Sequence, residues 1–148
     1  MTRGPSDAVV VVRRVIAAPR ARAFDAWLDP AQLARFMCPG PVGSASAEVD
    51  ARVGGAFRIA MRHPGGDADH WGEYLVIDRP SKLEFTWTSA ATDRQPTIVT
   101  VEFLERDGGT EVVLTHRRLP PTQIEPHRQG WGDIVQKLEA ALAGGNRA

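Results

Sequence analysis

Hydrophobic positions along the chain follow two rhythms, and the change between them outlines the fold. Val9 to Ile16 reads VVVVRRVI, a β-branched run that predicts a first strand. Pro19 then suits the opening of a helix, because its missing N–H would have had no partner there. Phe24, Trp27 and Leu28 follow at helical spacing. Asp29-Pro30 reads as a second helix start, with Asp29 as cap and Leu33 and Phe36 facing inward. The segment Cys38 to Gly43 holds Pro39, Gly40, Pro41 and Gly43 and is expected as loop.

From there to about Arg117 the rhythm shortens to two. Candidate strands run near 46–52, 56–63, 70–78, 82–88, 97–105 and 110–117, separated by turn signals such as Gly54-Gly55, Pro64-Gly65-Gly66 and Asp107-Gly108-Gly109. Short turns between consecutive strands favour an antiparallel meander. Leu83, Phe85 and Trp87, then Val99, Val101 and Phe103, then Val112 and Leu114 alternate with polar residues, so one face is buried. In 71–77 the pattern fails: Trp71, Leu75 and Ile77 share one phase, Tyr74 and Val76 the other, and Glu73 cannot be placed by periodicity. The last segment returns to helical spacing. Trp131, Ile134, Val135, Leu138 and Leu142 form a stripe, Asp133, Gln136, Lys137 and Glu139 take the other face, and Gly144-Gly145 marks the end.

An apolar sheet face and an apolar helix stripe each need cover, and laying the last helix across the sheet satisfies both. A straight helix cannot touch a strongly curved sheet everywhere, so a cavity between them is expected. Composition narrows the classes. At 148 residues the chain is the size of one domain and needs neither disulfide nor metal to fold. Lys+Arg and Asp+Glu both number 18, which gives no electrostatic footprint for nucleic acid or an anionic membrane. Cys38 is the only cysteine, which excludes an internal disulfide and suits a reducing compartment. Residues 1–8 are expected to be a disordered tail without a signal-peptide core, 9–143 the domain and 144–148 a second tail. No apolar run approaches the ~20 residues of a membrane helix. Cytoplasm is the expected location.

Several stretches in this order resemble a known family: RRVIAAPRARAFDAWLDPAQLARF (13–36), VGGAFRIAMR (53–62), GEYLVIDRPSKLEFTW (72–87), GGTEVVLTH (108–116) and GWGDIVQKLEAAL (130–142). Together they resemble the group named after the activator of the 90-kDa heat-shock chaperone's ATPase, within the START-like (SRPBCC, helix-grip) superfamily. The resemblance implies an α+β helix-grip fold: a seven-stranded curved antiparallel sheet wrapped on a long C-terminal helix, with two short helices after the first strand. It also implies an internal pocket, but no single activity, since relatives include lipid carriers, polyketide cyclases, hormone receptors and drug-sequestering proteins. Members often carry aromatics, commonly Trp, where this chain reads Phe36-Met37-Cys38 near the expected pocket mouth.

The expected ligand-binding set is Phe36, Phe57, Ile59, Met61, Trp71, Trp87, His116, Trp131, Ile134 and Leu138. Large aromatics and a deformable Met suit an apolar pocket as a set, although for any one of them plain core packing is the stronger reading. His116 keeps phase with Val112 and Leu114 and is open to three readings: core histidine, polar anchor for a ligand, or general acid–base group. The last needs a partner, with Glu73, Glu102 and Arg58 as candidates. His63 and His70 flank the Pro64-Gly65-Gly66 turn with Asp67 and Asp69, where a polar hairpin tip explains them better than a metal clip. No catalytic residue, metal or cofactor is assigned. The leading expectation is binding of a small apolar or aromatic molecule between sheet and helix. The alternatives are a cyclase- or hydrolase-like enzyme acting on such a ligand and, by family name, a co-factor of the heat-shock chaperone. The chaperone reading ranks last, because the eukaryotic activators add an N-terminal domain to this one. Neither a nucleic-acid partner nor membrane insertion is expected, and monomer and homodimer both stay open.

Overall fold

A computed structural model describes residues 9–40, 43–64 and 66–145. The expected tail at 1–8, and residues 146–148 of the second, lie outside the described residues. β1 (Val9–Ile16) is followed by two short helices, α1 (Arg20–Ala26) and α2 (Pro30–Phe36). Six strands come next: β2 (Ser44–Val49), β3 (Ala56–His63), β4 (Gly66–Asp78), β5 (Lys82–Trp87), β6 (Thr97–Arg106) and β7 (Gly109–Arg117). The long α3 (Ile124–Gly145) closes the chain and includes Gly144 and Gly145, the pair the sequence places at its end.

The seven strands form one antiparallel sheet in the order β1-β7-β6-β5-β4-β3-β2. All but one of its neighbours are hairpin partners. The exception is β1, which pairs with β7 from Val9↔Arg117 to Ile16↔Thr110. β2 begins and ends earlier than the expected 46–52, because Asp50 already enters a turn in which the Gly55 N–H reaches the Arg52 carbonyl at 2.8 Å. β4 begins at Gly66, earlier than the expected 70, and pairs at once with β3.

Local chemistry sets the helices. The Asp29 carboxylate accepts the Ala31 N–H at 3.0 Å, with Pro30 in the first helical turn, so the expected cap is present. α1 seats Phe24 edge-on against Phe103 of β6, with ring centroids 5.4 Å apart. α3 buries Trp131, Ile134, Val135, Leu138 and Leu142 in one continuous core with the inward faces of β3, β5, β6 and β7. The other side of α3 is less uniformly wet than its sequence suggests. Lys137 is half-buried and donates from Nζ to the Cys38 carbonyl, tying α3 to the loop after α2. This is an α+β helix-grip fold.

The ambiguous phase of 71–77 has a physical cause. Tyr74 pairs with Phe85 and Ile77 with Leu83, yet both partners face the core. A register shift between Tyr74 and Val76 inserts one extra residue, so the inward phase passes from even to odd numbers. Before the shift the inward positions of β4 are Ala68, His70, Gly72 and Tyr74, opposite Met61, Ile59 and Phe57 of β3 at the first three. At Gly72 a Cβ would sit 2.6 Å from the Phe57 ring and 2.0 Å from the Thr86 carbonyl oxygen. Only glycine lets Phe57 lie across β4, where it stacks among Tyr74, Phe85 and Trp87.

Candidate functional site

Helix and sheet part at one end of the domain. Between the outer ends of β3 and β4 and the first half of α3 lies a half-open cleft of about 180 Å³. Met61, Ala68 and His70 form its sheet wall, and His127, Trp131 and Ile134 its helix wall. Trp87 forms the floor, with its ring 5.0 Å from Trp131 and 4.7 Å from His70. Behind Trp87 is a second void of about 10 Å³, bounded by Trp27, Phe57, Ile59 and Tyr74 among others. That is room for about one water molecule and no ligand.

The expected site residues therefore separate. Met61, Trp87, Trp131 and Ile134 meet at the cleft. Phe57 and Ile59 border the inner void instead. Phe36 is fully buried and packs edge-on against Trp27 at 5.3 Å, and Leu138 is fully buried in the core; neither lines the cleft. Trp71 needs correction. Its phase is that of Arg58 and Glu73, so it lies on the outer face of the sheet, under the Arg94 guanidinium at 5.2 Å.

His116 also needs correction, since its environment leaves nothing to offer a ligand. The Trp131 indole N–H donates to its Nδ1 at 2.9 Å, and its Nε2 lies 2.7 Å from Thr97 Oγ1. Thr97 in turn donates to the Trp87 carbonyl at 2.6 Å. An indole N–H only donates, so Nδ1 carries no proton and Nε2 must carry it. Donation then runs one way, from Trp131 through His116 and Thr97 to the backbone of Trp87. Burial, helped by His127 nearby, pushes the His116 pKa down to about 3. None of the expected acid–base partners shares its face. Arg58 is paired with Asp69 at 2.8 Å, Glu73 is exposed, and Glu102 follows the outward phase of β6. His116 is an anchor that fixes Trp131, and through it the cleft wall.

The cleft also contains His70, which the sequence reading placed at a polar hairpin tip, and His127, which it did not single out. His70 is no hairpin tip. It is buried beside Trp87, and its Nδ1 finds no hydrogen-bond partner among the described residues. Burial, with a smaller push from His127, lowers its pKa to about 4, while the backbone carbonyls of Ile59 and Ala68 pull the other way. The indole N–H groups of Trp27 and Trp87 are likewise buried without a partner among the described residues. Each such group costs about 1–3 kcal/mol. His127 lies one turn before Trp131, and its Nδ1 donates to the Gln123 carbonyl at 3.0 Å. Its pKa is lowered by burial and partly restored by that carbonyl. Both had a signal: counting back from Tyr74 turns His70 inward, and the stripe 131, 134, 138 extends back to 127. Cys38 is buried, which pushes its thiol pKa up, away from a reactive thiolate.

Comparison with known proteins supports the fold beyond this chain. The family profile of Activator of Hsp90 ATPase homolog 1-like proteins matches residues 17–143. No curated protein matches significantly. Among solved structures, a Chromobacterium violaceum protein is 25% identical, with a TM-score of 0.82 over 89% of this chain and 94% of its own. A Nitrosomonas europaea protein is 22% identical, with a TM-score of 0.81 over 97% of this chain and 99% of its own. An AHSA1-like protein from Aeromonas hydrophila is 21% identical, with a TM-score of 0.79 over 93% and 94%. At 21–22% identity the last two likenesses speak for the fold alone. With the profile spanning most of the residues, the chain belongs to the family of Activator of Hsp90 ATPase homolog 1-like proteins, in the START-like, helix-grip superfamily.

Proposed function

We propose that this domain binds a small aromatic or apolar molecule in the cleft between β3, β4 and α3. The observation that carries the reading is the cleft itself: about 180 Å³ lined by Trp87, Trp131, Met61 and Ile134, with indole rings in floor and wall. Its size falls below the ~300–1,000 Å³ of sites for drug-sized ligands, so the occupant has one or two rings. A ligand burying on the order of 300 Å² of apolar surface gains ~7.5 kcal/mol. Lost freedom takes back several kcal/mol of this, leaving dissociation constants in the micromolar range or weaker. Binding rather than catalysis is favoured because both nitrogens of His116 are already engaged. The single buried thiol accords with a cytoplasmic location, and no helix among the described residues is long and apolar enough to cross a membrane.

The test is a titration with one- and two-ring aromatics, followed by tryptophan fluorescence. Trp87 and Trp131 touch the cleft, so a saturable change in emission is expected. Met61→Trp fills the space from the sheet side and should weaken binding at least ~10-fold while the far-UV circular dichroism is kept. Unchanged affinity in that variant, or no saturable change with the parent, would remove the cleft from consideration as the site.

A further inference from the structure

Two apolar spaces lie between the sheet and the helices, and one side chain separates them. Trp87 is the only described residue that borders both the cleft and the void behind it. On the far side stand Trp27, Leu33 and Met37 from the helix layer, and Phe57, Ile59 and Tyr74 from the sheet. The lining therefore stays apolar past the partition. We propose that Trp87 sets the depth of this site and thereby its specificity, admitting ligands of one or two rings and turning away linear three-ring molecules. This rests on the binding reading above and names the residue that limits the class of ligand.

Trp87 ends β5, where the alternation of Leu83 and Phe85 turns it inward. Its carbonyl accepts from Thr97 Oγ1 at 2.6 Å, which pins the backbone. Its ring sits among His70 at 4.7 Å, Trp131 at 5.0 Å and Phe57 at 6.1 Å. The indole is wedged rather than bonded, since Nε1 has no hydrogen-bond partner among the described residues. Trp131 differs, because its N–H is bound to His116. A buried donor without a partner is a cost that phenylalanine or leucine would not carry at this position. What tryptophan contributes here is bulk, at the place where bulk divides the space. The void behind it, at about 10 Å³, takes no part of a ligand while the indole stands. Cleft, indole and void together approach the lower end of the ~300–1,000 Å³ of sites for drug-sized molecules. A third ring added in line has the Trp87 indole before it or solvent behind it, and gains no buried contact either way.

Titration of the full chain with 1-aminonaphthalene (two fused rings) and 1-aminoanthracene (three in a row), each followed by its own fluorescence, reads the limit as a ratio of dissociation constants. The parent should bind the three-ring probe no more tightly than the two-ring one. Trp87→Ala should shift the ratio roughly 10-fold toward the three-ring probe, the effect of burying one further ring. A ratio taken within one variant cancels any loss of affinity common to both probes. Trp87→Leu, which keeps more of the packing, should shift it less in the same direction, and far-UV circular dichroism reports the fold of each variant. Phe57 borders the void and not the cleft, so Phe57→Ala enlarges the space behind the partition and leaves the partition in place. Its ratio should stay within ~2-fold of the parent. A parent that already prefers the three-ring probe, or Trp87 variants that keep the parent's ratio, would overturn Trp87 as the limit and leave the two-ring site standing. So would three-ring binding acquired by Phe57→Ala, because loosening behind the partition would then suffice. Absence of two-ring binding by the parent would overturn the site, and the limit with it.

Discussion

Lowering the pH from 7 to about 5 should remove roughly 4 kcal/mol of folding stability, well before carboxylates titrate. His116 and His70 are buried and neutral, with pKa values near 3 and 4 against 6.5 for a free side chain. Between those limits the unfolded chain binds a proton at each site and the folded chain does not. The unfolded state therefore binds more protons, so stability rises with pH and is lost as pH falls below 6.5. Each histidine contributes about 1.4 kcal/mol per pH unit in that window. Asp25 and Glu111 have lowered pKa values through Arg79 and Arg106, so their contributions vanish only at still lower pH. Urea melts at half-unit steps between pH 7 and pH 4.5 measure the slope. His116→Phe should reduce that slope by about 1.4 kcal/mol per pH unit, leaving the share of His70 and His127, while destabilising the protein at pH 7 by leaving the Trp131 N–H unpaired. A flat profile above pH 5 would mean that these histidines are not held neutral.

Leu138→Ala should cost roughly 2–5 kcal/mol, the range for deleting a buried leucine side chain and leaving a cavity. Leu138 is fully buried at the middle of the α3 stripe, between Val135 and Leu142. Gln136→Ala, exposed on the opposite side, should change stability by no more than ~0.5 kcal/mol. Lys137 is a poorer control than its sequence position implies, because its bond to the Cys38 carbonyl holds the loop. Denaturant midpoints of both variants, with unchanged slopes, decide the matter. Equal and small losses would mean that α3 does not dock along this stripe.

Most of the architecture was legible because alternation survives wherever one face of a strand is wet. β5 and β6 show it plainly, and the 3–4 spacing of Trp131 to Leu142 defines α3. β4 resisted because its register shift changes the inward phase midway, and Trp71 was assigned to the wrong face on that account. The site was legible in half. Apolar residues announce burial but not which void they border, so Phe57, Met61 and Leu138 read alike although only Met61 meets the cleft. His70 and His127 were overlooked because the phase of β4 stayed unresolved across its register shift and the α3 stripe was not followed back beyond Trp131. The partners of His116 were sought among charged residues, whereas the fold supplied an indole and a threonine.

The pairing of β1 with β7 sets a timetable for the growing polypeptide. Val9 meets Arg117, so about a hundred residues must be added before the first strand can find its neighbour. At the usual ribosomal pace of about 5–20 residues per second, that interval is on the order of 5–20 s. Throughout it the five valines of β1, of which Val10 and Val12 are destined for the core side, stand without a strand to pair with. The strands from β2 to β6 each pair with a neighbour close in sequence, whereas α3, which covers their concave face, is made after β7. The first strand made therefore cannot be placed in the sheet until the last strand is available.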